Sequence, residues 1–158
     1  MPSGKNNLPL ATPMQLALTY ARLGTERGEV PIGAVLIHSE TKEVIAAAHN
    51  LTESGSDPTA HAEILVIREA CEKLGSPRLP ECDLYVTLEP CPMCAQAISF
   101  ARIRRLYFGA YDKKGGGVEH GPRIYHQPTC HHQPEVVAGM DESECAELLK
   151  QFFAGKRI

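Results

Sequence analysis

The sequence predicts an α/β domain of three layers, with helices on both faces of a mixed sheet of about five strands. Short segments rich in β-branched residues alternate along the chain with longer segments whose apolar residues recur at helical spacing. No internal repeat or linker interrupts this alternation, and 158 residues are enough for one domain with a continuous core. We therefore predict a single domain over residues 12–158, preceded by a loose tail over residues 1–11.

The first half of the chain predicts a helix followed by a β-hairpin. Thr12 is a favourable N-cap with proline at the next position, and Gly24 is expected to end the helix. Residues 32–38 and 44–49 are apolar and β-branched, and the link between them is short and polar. This pattern is typical of two antiparallel strands joined by a turn.

The second half predicts helices and strands in alternation. Apolar residues at helical spacing or short β-branched runs mark each segment. In chain order we predict a helix from Thr59 to Leu74, a strand over residues 83–88, a helix that Cys91 opens, a strand over residues 105–111, a short strand over residues 135–138 and a closing helix over residues 143–153.

Composition excludes several classes of protein. Hydrophobic residues make up 43% and charged residues 22% of the chain, as in an ordinary globular protein, and no apolar run approaches the length of a membrane span. The N-terminus lacks the apolar stretch of a secretory signal, so we expect a cytoplasmic protein whose six cysteines do not form disulfides. The net charge of −3 does not indicate nucleic-acid binding, although basic clusters at 102–105, 113–114 and 156–157 leave that open.

Two short motifs carry the chemistry of the chain. They are His61-Ala62-Glu63 and Pro90-Cys91-Pro92-Met93-Cys94, with residues 64–89 between them. Cys91 and Cys94 are three positions apart at a helix start, where they share one face and where the helix dipole favours thiolates. Together with His61 they form a ligand set typical of zinc, and a set of three protein ligands leaves the fourth position open for catalysis.

Glu63 is expected to have a different task from the three ligands. Two residues after His61, its carboxylate can reach water at the open position without binding the metal. We interpret it as a proton carrier, which takes a proton from water and delivers it to a ring nitrogen and to departing ammonia. An H-x-E…P-C-x-x-C pattern is the signature of zinc-dependent base deaminases. A closed structural site with Glu63 as fourth ligand is the alternative.

At these residues the chain resembles a known family. Residues 57–63, Asp-Pro-Thr-Ala-His-Ala-Glu, and residues 84–94, Leu-Tyr-Val-Thr-Leu-Glu-Pro-Cys-Pro-Met-Cys, are similar to the bacterial tRNA-specific adenosine deaminases of the cytidine deaminase-like superfamily. The similarity runs from residue 29 to the closing helix and so covers nearly everything after the tail.

The resemblance implies a cytidine deaminase-like fold and hydrolytic conversion of adenosine to inosine at the wobble position of a tRNA anticodon, usually that of an arginine tRNA. It also implies a homodimer that binds one zinc ion per subunit and contacts the tRNA anticodon stem-loop, with no organic cofactor and no membrane. The matched zinc ligands are His61, Cys91 and Cys94, and Glu63 matches the proton carrier. The matched substrate-binding positions are Asn50 and Ala62 at the flipped nucleotide, Val30, Pro31 and Ile32 in the wall of the base pocket, Asp112 and Lys114 near the RNA backbone, and Phe153, Lys156 and Arg157 at the anticodon loop.

Two other functions fit the same motifs. A deaminase of free bases or nucleosides, such as guanine or cytosine, would carry the same zinc residues, and a non-catalytic zinc protein could bind RNA. Glu63 argues against the non-catalytic protein, because a structural zinc site does not need a carboxylate there.

Residues 121–132 depart from the pattern of the family. They contain His126, Cys130, His131 and His132, which could form a second metal site. These side chains fit no regular ligand spacing on a helix, so we favour a polar loop that faces RNA or lies at the rim of a dimer.

Overall fold

The computed structural model describes residues 11–155 and arranges them in three layers, which confirms the predicted fold class. A five-stranded mixed sheet lies between two pairs of helices. Most element boundaries fall within two residues of the predicted ones. The elements are α1 Pro13–Glu26, β1 Gly33–His38, β2 Val44–His49, α2 Ala62–Leu74, β3 Cys82–Leu88, α3 Pro92–Phe100, β4 Arg105–Ala110, a 3₁₀ helix Ile124–His126, β5 Glu135–Ala138 and α4 Glu142–Gly155.

The sheet has an antiparallel half and a parallel half that meet at β3. The strand order is β2-β1-β3-β4-β5. Strand β1 pairs antiparallel with both β2 and β3, which confirms the predicted hairpin, whereas β3, β4 and β5 run parallel to one another. The carboxyl end of β3 therefore lies at the centre of the sheet, and the Cys91 motif begins two residues beyond it.

Each face of the sheet carries its own apolar core. On one face α1 and α4 pack on the sheet through residues such as Leu18 and Cys145, and on the other face α2 and α3 pack through residues such as Val66 and Ile98. Successive residues of β1 enter opposite cores, which explains why the strand is an unbroken apolar run. Each fully buried aliphatic side chain contributes about 1.5–3 kcal/mol.

The first helix does not end at Gly24 as predicted but continues to Glu26. A β-carbon at Gly24 would lie 3.1 Å from Cγ of His49, so the glycine serves close packing of the helix on β2. The glycine after this helix that takes left-handed backbone is Gly28, with φ of +80°. A glycine within an apolar pattern can mark close approach as well as a helix end.

The second helix begins at Ala62, three residues later than predicted. Before it, Oδ1 of Asp57 accepts hydrogen bonds from the backbone N–H of Thr59 at 2.8 Å and from the Thr59 hydroxyl at 2.7 Å. This local turn competes with helix and leaves His61 as the N-cap, with extended backbone at φ −73° and ψ 149°.

None of the helices in the described range, residues 11–155, is long and apolar enough to cross a membrane. Residues 1–10 of the predicted tail and residues 156–158 lie outside that range. The division into tail and single domain stays a prediction.

Candidate metal centre

The two motifs meet where α2 and α3 begin. His61 is the N-cap of α2, Cys91 is the N-cap of α3, and Cys94 follows within the first turn of α3. Nδ1 of His61 lies 3.6 Å from Sγ of Cys91 and 3.4 Å from Sγ of Cys94, and the three ligand atoms all lie within 4.8 Å of one another. A tetrahedral zinc ion with its usual bond lengths holds nitrogen and sulfur ligands about 3.6 Å apart. The donor set and its spacing therefore fit one zinc ion.

Hydrogen bonds within the cluster shift the pKa values of the two thiols in opposite directions. The contact with Cys94, aided by His61, lowers the pKa of Cys91 to about 4 in spite of burial. The same contact and burial raise the pKa of Cys94 well above its usual value. The contact with Cys91 raises the pKa of His61. Zinc binds thiolates, so the proton that the contact between Cys91 and Cys94 retains on the cysteine pair has to be released when the ion binds.

Glu63 lies beside the cluster and outside the group of three ligands. Its side chain is buried, with 4% relative exposure. Burial raises the pKa of Glu63 to about 7, against the opposing effects of its own backbone N–H and of His61. A carboxyl group with a pKa near neutrality can both accept and donate a proton, as a general acid–base group requires.

A cavity of about 110 Å³ opens on the cluster. This volume is well below the roughly 300–1,000 Å³ of sites that enclose drug-sized ligands, so only the reacting part of a larger substrate can enter. Its lining residues are Ile32, His61, Glu63, Leu88, Glu89, Cys91 and Asp112.

Of the residues predicted to hold the base, Ile32 is the one among the lining residues of this cavity. Oδ1 of Asn50 accepts a hydrogen bond from the backbone N–H of Ala62 at 2.8 Å, and both residues are buried. Asn50 therefore fixes the start of α2, a contact that sequence reasoning did not foresee. Ile32 lines the cavity, whereas Val30 and Pro31 precede it in the chain and are not among the lining residues.

The predicted RNA contacts are only partly brought to the cavity. Asp112 lines it, whereas Lys114 is exposed and does not. Phe153 lies on α4 with 48% of its surface exposed and is not among the lining residues. Lys156 and Arg157 lie outside the described residues.

Arginines of the basic cluster at 102–105 form ion pairs within the protein. Arg104 forms a bidentate pair with Asp83 at 2.9 and 2.7 Å. Arg105 pairs with Glu135 at 2.8 Å. These arginines tie neighbouring strands together, so the cluster does not support an RNA surface.

Two buried carboxylates outside the motifs were not predicted from the sequence. Glu29 accepts hydrogen bonds from Ser54, through N–H at 2.8 Å and Oγ at 2.7 Å, and from N–H of Glu53 at 3.1 Å. Glu89 accepts from four backbone N–H groups of residues 112–120. Although burial raises the pKa of each carboxyl, these donors hold both pKa values below the usual range. The one signal in the sequence is the place of Glu89 directly after an apolar strand, and Glu29 has no such signal.

Residues 121–132 pack along α3. Oγ of Ser99 lies 3.3 Å from Sγ of Cys130 and donates to the carbonyl of His132 at 2.7 Å. Nε2 of His132 donates to the carbonyl of Ile103 at 2.7 Å. Within residues 11–155, His61, Cys91 and Cys94 form the one group suited to a metal ion, so this loop does not supply a second site there.

Comparisons with known proteins agree with this geometry. A family model of the cytidine and deoxycytidylate deaminase zinc-binding region matches residues 10–110. A tRNA-specific adenosine deaminase of Agrobacterium fabrum is 63% identical over 145 residues, which cover 92% of this chain and 94% of that protein. A structure from a study of A-to-I editing by tRNA:A34 deaminases at the wobble position is 64% identical with a TM-score of 0.84, and the match covers 87% of this chain and 98% of that chain. A guanine deaminase from Nitrosomonas europaea is 26% identical with a TM-score of 0.74, and the match covers 94% of this chain and 90% of that chain.

Proposed function

The chain belongs to the family of tRNA-specific adenosine deaminases, and from this premise we propose that it converts adenosine to inosine at the wobble position of a tRNA anticodon, in particular that of an arginine tRNA. The observation that carries the proposal is the cluster of His61, Cys91 and Cys94 with Glu63 beside it. An open three-ligand zinc site next to a buried carboxylate suits hydrolysis at the amino-bearing carbon of a base.

The reaction consumes water and releases ammonia. The oxygen of water forms a bond with C6 of the adenine ring, and the bond from C6 to the amino nitrogen breaks. Glu63 accepts a proton from water and delivers it to N1 of the ring. It then takes the second proton from the oxygen now bonded to C6 and transfers it to the amino nitrogen, which departs as ammonia and leaves a carbonyl at C6. When bound by His61, Cys91 and Cys94, zinc supplies the Lewis acidity that makes water a nucleophile near neutral pH.

Asn50 and the cavity wall position the base in this proposal. Because Oδ1 of Asn50 already accepts from Ala62, its Nδ2 is the atom that would donate to the flipped nucleotide. Ile32 supplies an apolar surface of the cavity against which a ring can pack, and we assign Val30 and Pro31, directly before it in the chain, to the same wall.

We assign the RNA contacts to two further regions of the chain. Asp112 lines the cavity and Lys114 is exposed close by, where a cation can approach the RNA backbone. The half-exposed ring of Phe153, followed in the sequence by Lys156 and Arg157, provides the aromatic surface and cations that unstacked bases and phosphates require. The cytoplasm, where tRNA is available, is the proposed location.

A second copy of the chain is the proposed partner of the outer face of α2 and α3. Phe100 at the end of α3 has 69% of its surface exposed, and Met93 has 37% exposed. Phe100 also borders an apolar surface cavity of about 290 Å³ with Ile64 and Ile67 of α2. Exposed apolar surface of this kind marks protein interfaces. Replacement of Phe100 by Glu should lower the dimer fraction in sedimentation equilibrium.

The substrate class is tested by incubating the zinc-loaded protein with an anticodon stem-loop that carries adenosine at the wobble position. Parallel reactions contain free guanine, cytosine or adenosine. We expect a mass increase of about one unit on the RNA alone, because an amino group is replaced by oxygen. Deamination of free guanine without change in the RNA would assign the chain to the base deaminases instead.

A further inference from the structure

Glu89 holds a whole loop with one carboxylate. Its side chain is 2% exposed and lies directly before the second metal motif. Oε2 accepts backbone N–H groups from Val118 at 3.2 Å, Glu119 at 2.8 Å and His120 at 3.1 Å. Oε1 accepts the N–H of Asp112 at 3.0 Å and lies 2.8 Å from Nδ1 of His120. We call residues 111–120 the anchored loop.

The anchored loop lies directly on the metal motif. The N–H of Gly117 donates to the carbonyl of Pro90 at 2.8 Å. A β-carbon at Gly117 would lie 2.6 Å from the nitrogen of Pro92, and one at Gly116 would lie 2.5 Å from Cδ of Glu89. No side chain fits between the loop and the motif at these two positions, so small displacements of the loop alter the space beside the cluster.

The anchored loop borders two cavities. Asp112, together with Glu89, lines the small cavity at the zinc cluster. Tyr111, Lys113, Glu119 and His120 line a second cavity of about 710 Å³. The position of this loop therefore sets the place of Asp112 in the wall of the small cavity.

We propose that Glu89 is a positioning residue of the deaminase, which acts on the substrate through the anchored loop that its carboxylate holds against residues 90–92. This inference rests on the proposed function, because it assigns the loop to the wall that meets the reacting nucleotide. Glu89 itself transfers no proton and binds no metal ion. Its contribution is to keep the wall at the distance from Glu63 that productive binding requires.

The test compares two buried carboxylates at opposite ends of β3. The Glu89 carboxylate accepts five hydrogen bonds. In Glu89→Gln an amide NH₂ group takes the place of one carboxylate oxygen and cannot accept from the N–H groups that face it. The control is Asp83→Asn, because Asp83 is 1% exposed and holds Arg104 at the end of the strand away from the cluster. Each variant is assayed with the anticodon stem-loop for kcat and KM, for zinc content and for thermal unfolding.

We expect Glu89→Gln to raise KM by about 10–100-fold with full zinc content, as a displaced wall should. Asp83→Asn should lower the unfolding temperature and leave KM unchanged. His120→Ala removes a single donor and should raise KM by less, and it decides the question if Glu89→Gln does not fold.

An unchanged KM in both Glu89→Gln and His120→Ala would overturn the inference. An equal rise of KM in Asp83→Asn, or loss of zinc from Glu89→Gln, would also overturn it. Absence of turnover by the unaltered protein would overturn the proposed function, and the inference with it.

Discussion

Two buried carboxylates line the same small cavity, and their surroundings differ. Glu89 accepts five hydrogen bonds from the anchored loop, whereas Glu63 is approached by its own N–H and by the Cys94 thiol. Burial raises the pKa of both groups, but the donors keep that of Glu89 below its usual range while that of Glu63 reaches about 7. Donors outweigh burial at Glu89, which anchors a loop, whereas burial and the nearby Cys91 outweigh the few donors at Glu63, which can carry protons.

The largest expected effect is on turnover and follows from a change at Glu63. Glu63→Gln keeps the size of the side chain and removes its ability to carry a proton. We expect turnover of the stem-loop to fall by about 10²–10⁴-fold with zinc retained. Single-turnover kinetics and elemental zinc analysis measure the two quantities, and near-normal turnover would contradict the assigned role.

The next effect comes from a substitution in the anchored loop that leaves the Glu89 carboxylate unchanged. Gly117→Ala places a methyl group against the backbone of Cys91 and Pro92, where nothing flexible can move aside. We expect the free energy of unfolding to fall by about 1–3 kcal/mol, as overpacking does. Gly155→Ala is the matched control, because within residues 11–155 no atom beyond its own stretch of helix lies within 4 Å of a β-carbon there. Equal unfolding free energies for the two variants in urea titrations would count against close packing of the loop.

Glu29 extends the comparison to a third buried carboxylate, one that contacts none of the zinc ligands. Its pKa lies below the usual 4.5 in the folded protein, since the donors of residues 52–54 outweigh burial. The stabilisation is thus fully present above pH 4.5 and is lost as the pH falls through the lower folded pKa. We expect Glu29→Gln to flatten the decline of unfolding free energy in acid, whereas Glu26→Gln, an exposed carboxylate on α1, should not. Identical acid profiles for Glu29→Gln and the unaltered protein would refute the assignment.

The smallest expected effect concerns an uncharged group that is buried without donors. Within the described part of the chain, the Tyr125 hydroxyl is a buried side-chain atom with no hydrogen-bond partner. Tyr125→Phe should raise the free energy of unfolding by about 1 kcal/mol, because an unpaired buried hydroxyl is destabilising. Tyr111→Phe, at an exposed ring, should have no effect. Lower stability of Tyr125→Phe in denaturant titrations would reveal a buried water bound to the hydroxyl.

The metal cluster could be predicted from sequence because its residues are recognised by type and by local spacing. His61, Cys91 and Cys94 lie at helix starts that proline and polar residues mark. The anchoring roles of Glu29 and Glu89 could not be predicted, because their donors lie 23 to 31 residues away in segments without periodicity. A carboxylate in such a position looks in sequence like any surface charge.

The element order was predictable for a similar reason, and its errors are local. Burial on one or both faces sets the periodicity of each strand and helix, so existence and type of the elements follow from the pattern. Gly24 and the turn at Asp57 were misjudged because a glycine that serves packing and a turn that delays a helix depend on atoms outside the local pattern. The basic cluster at 102–105 shows the same limit, since its ion pairs join different strands.

The parallel pairing of β4 with β5 has a consequence for how such a chain can change. Two parallel neighbours need a connection that travels back along the sheet, and residues 111–134 make that return with only a short 3₁₀ helix. The connection packs along α3 and so passes the zinc cavity on its way. Outside the anchored loop, where Gly116 and Gly117 leave no room for a side chain, its composition can therefore vary, and with it the surface offered to a substrate, while the strands and the three metal ligands keep their places.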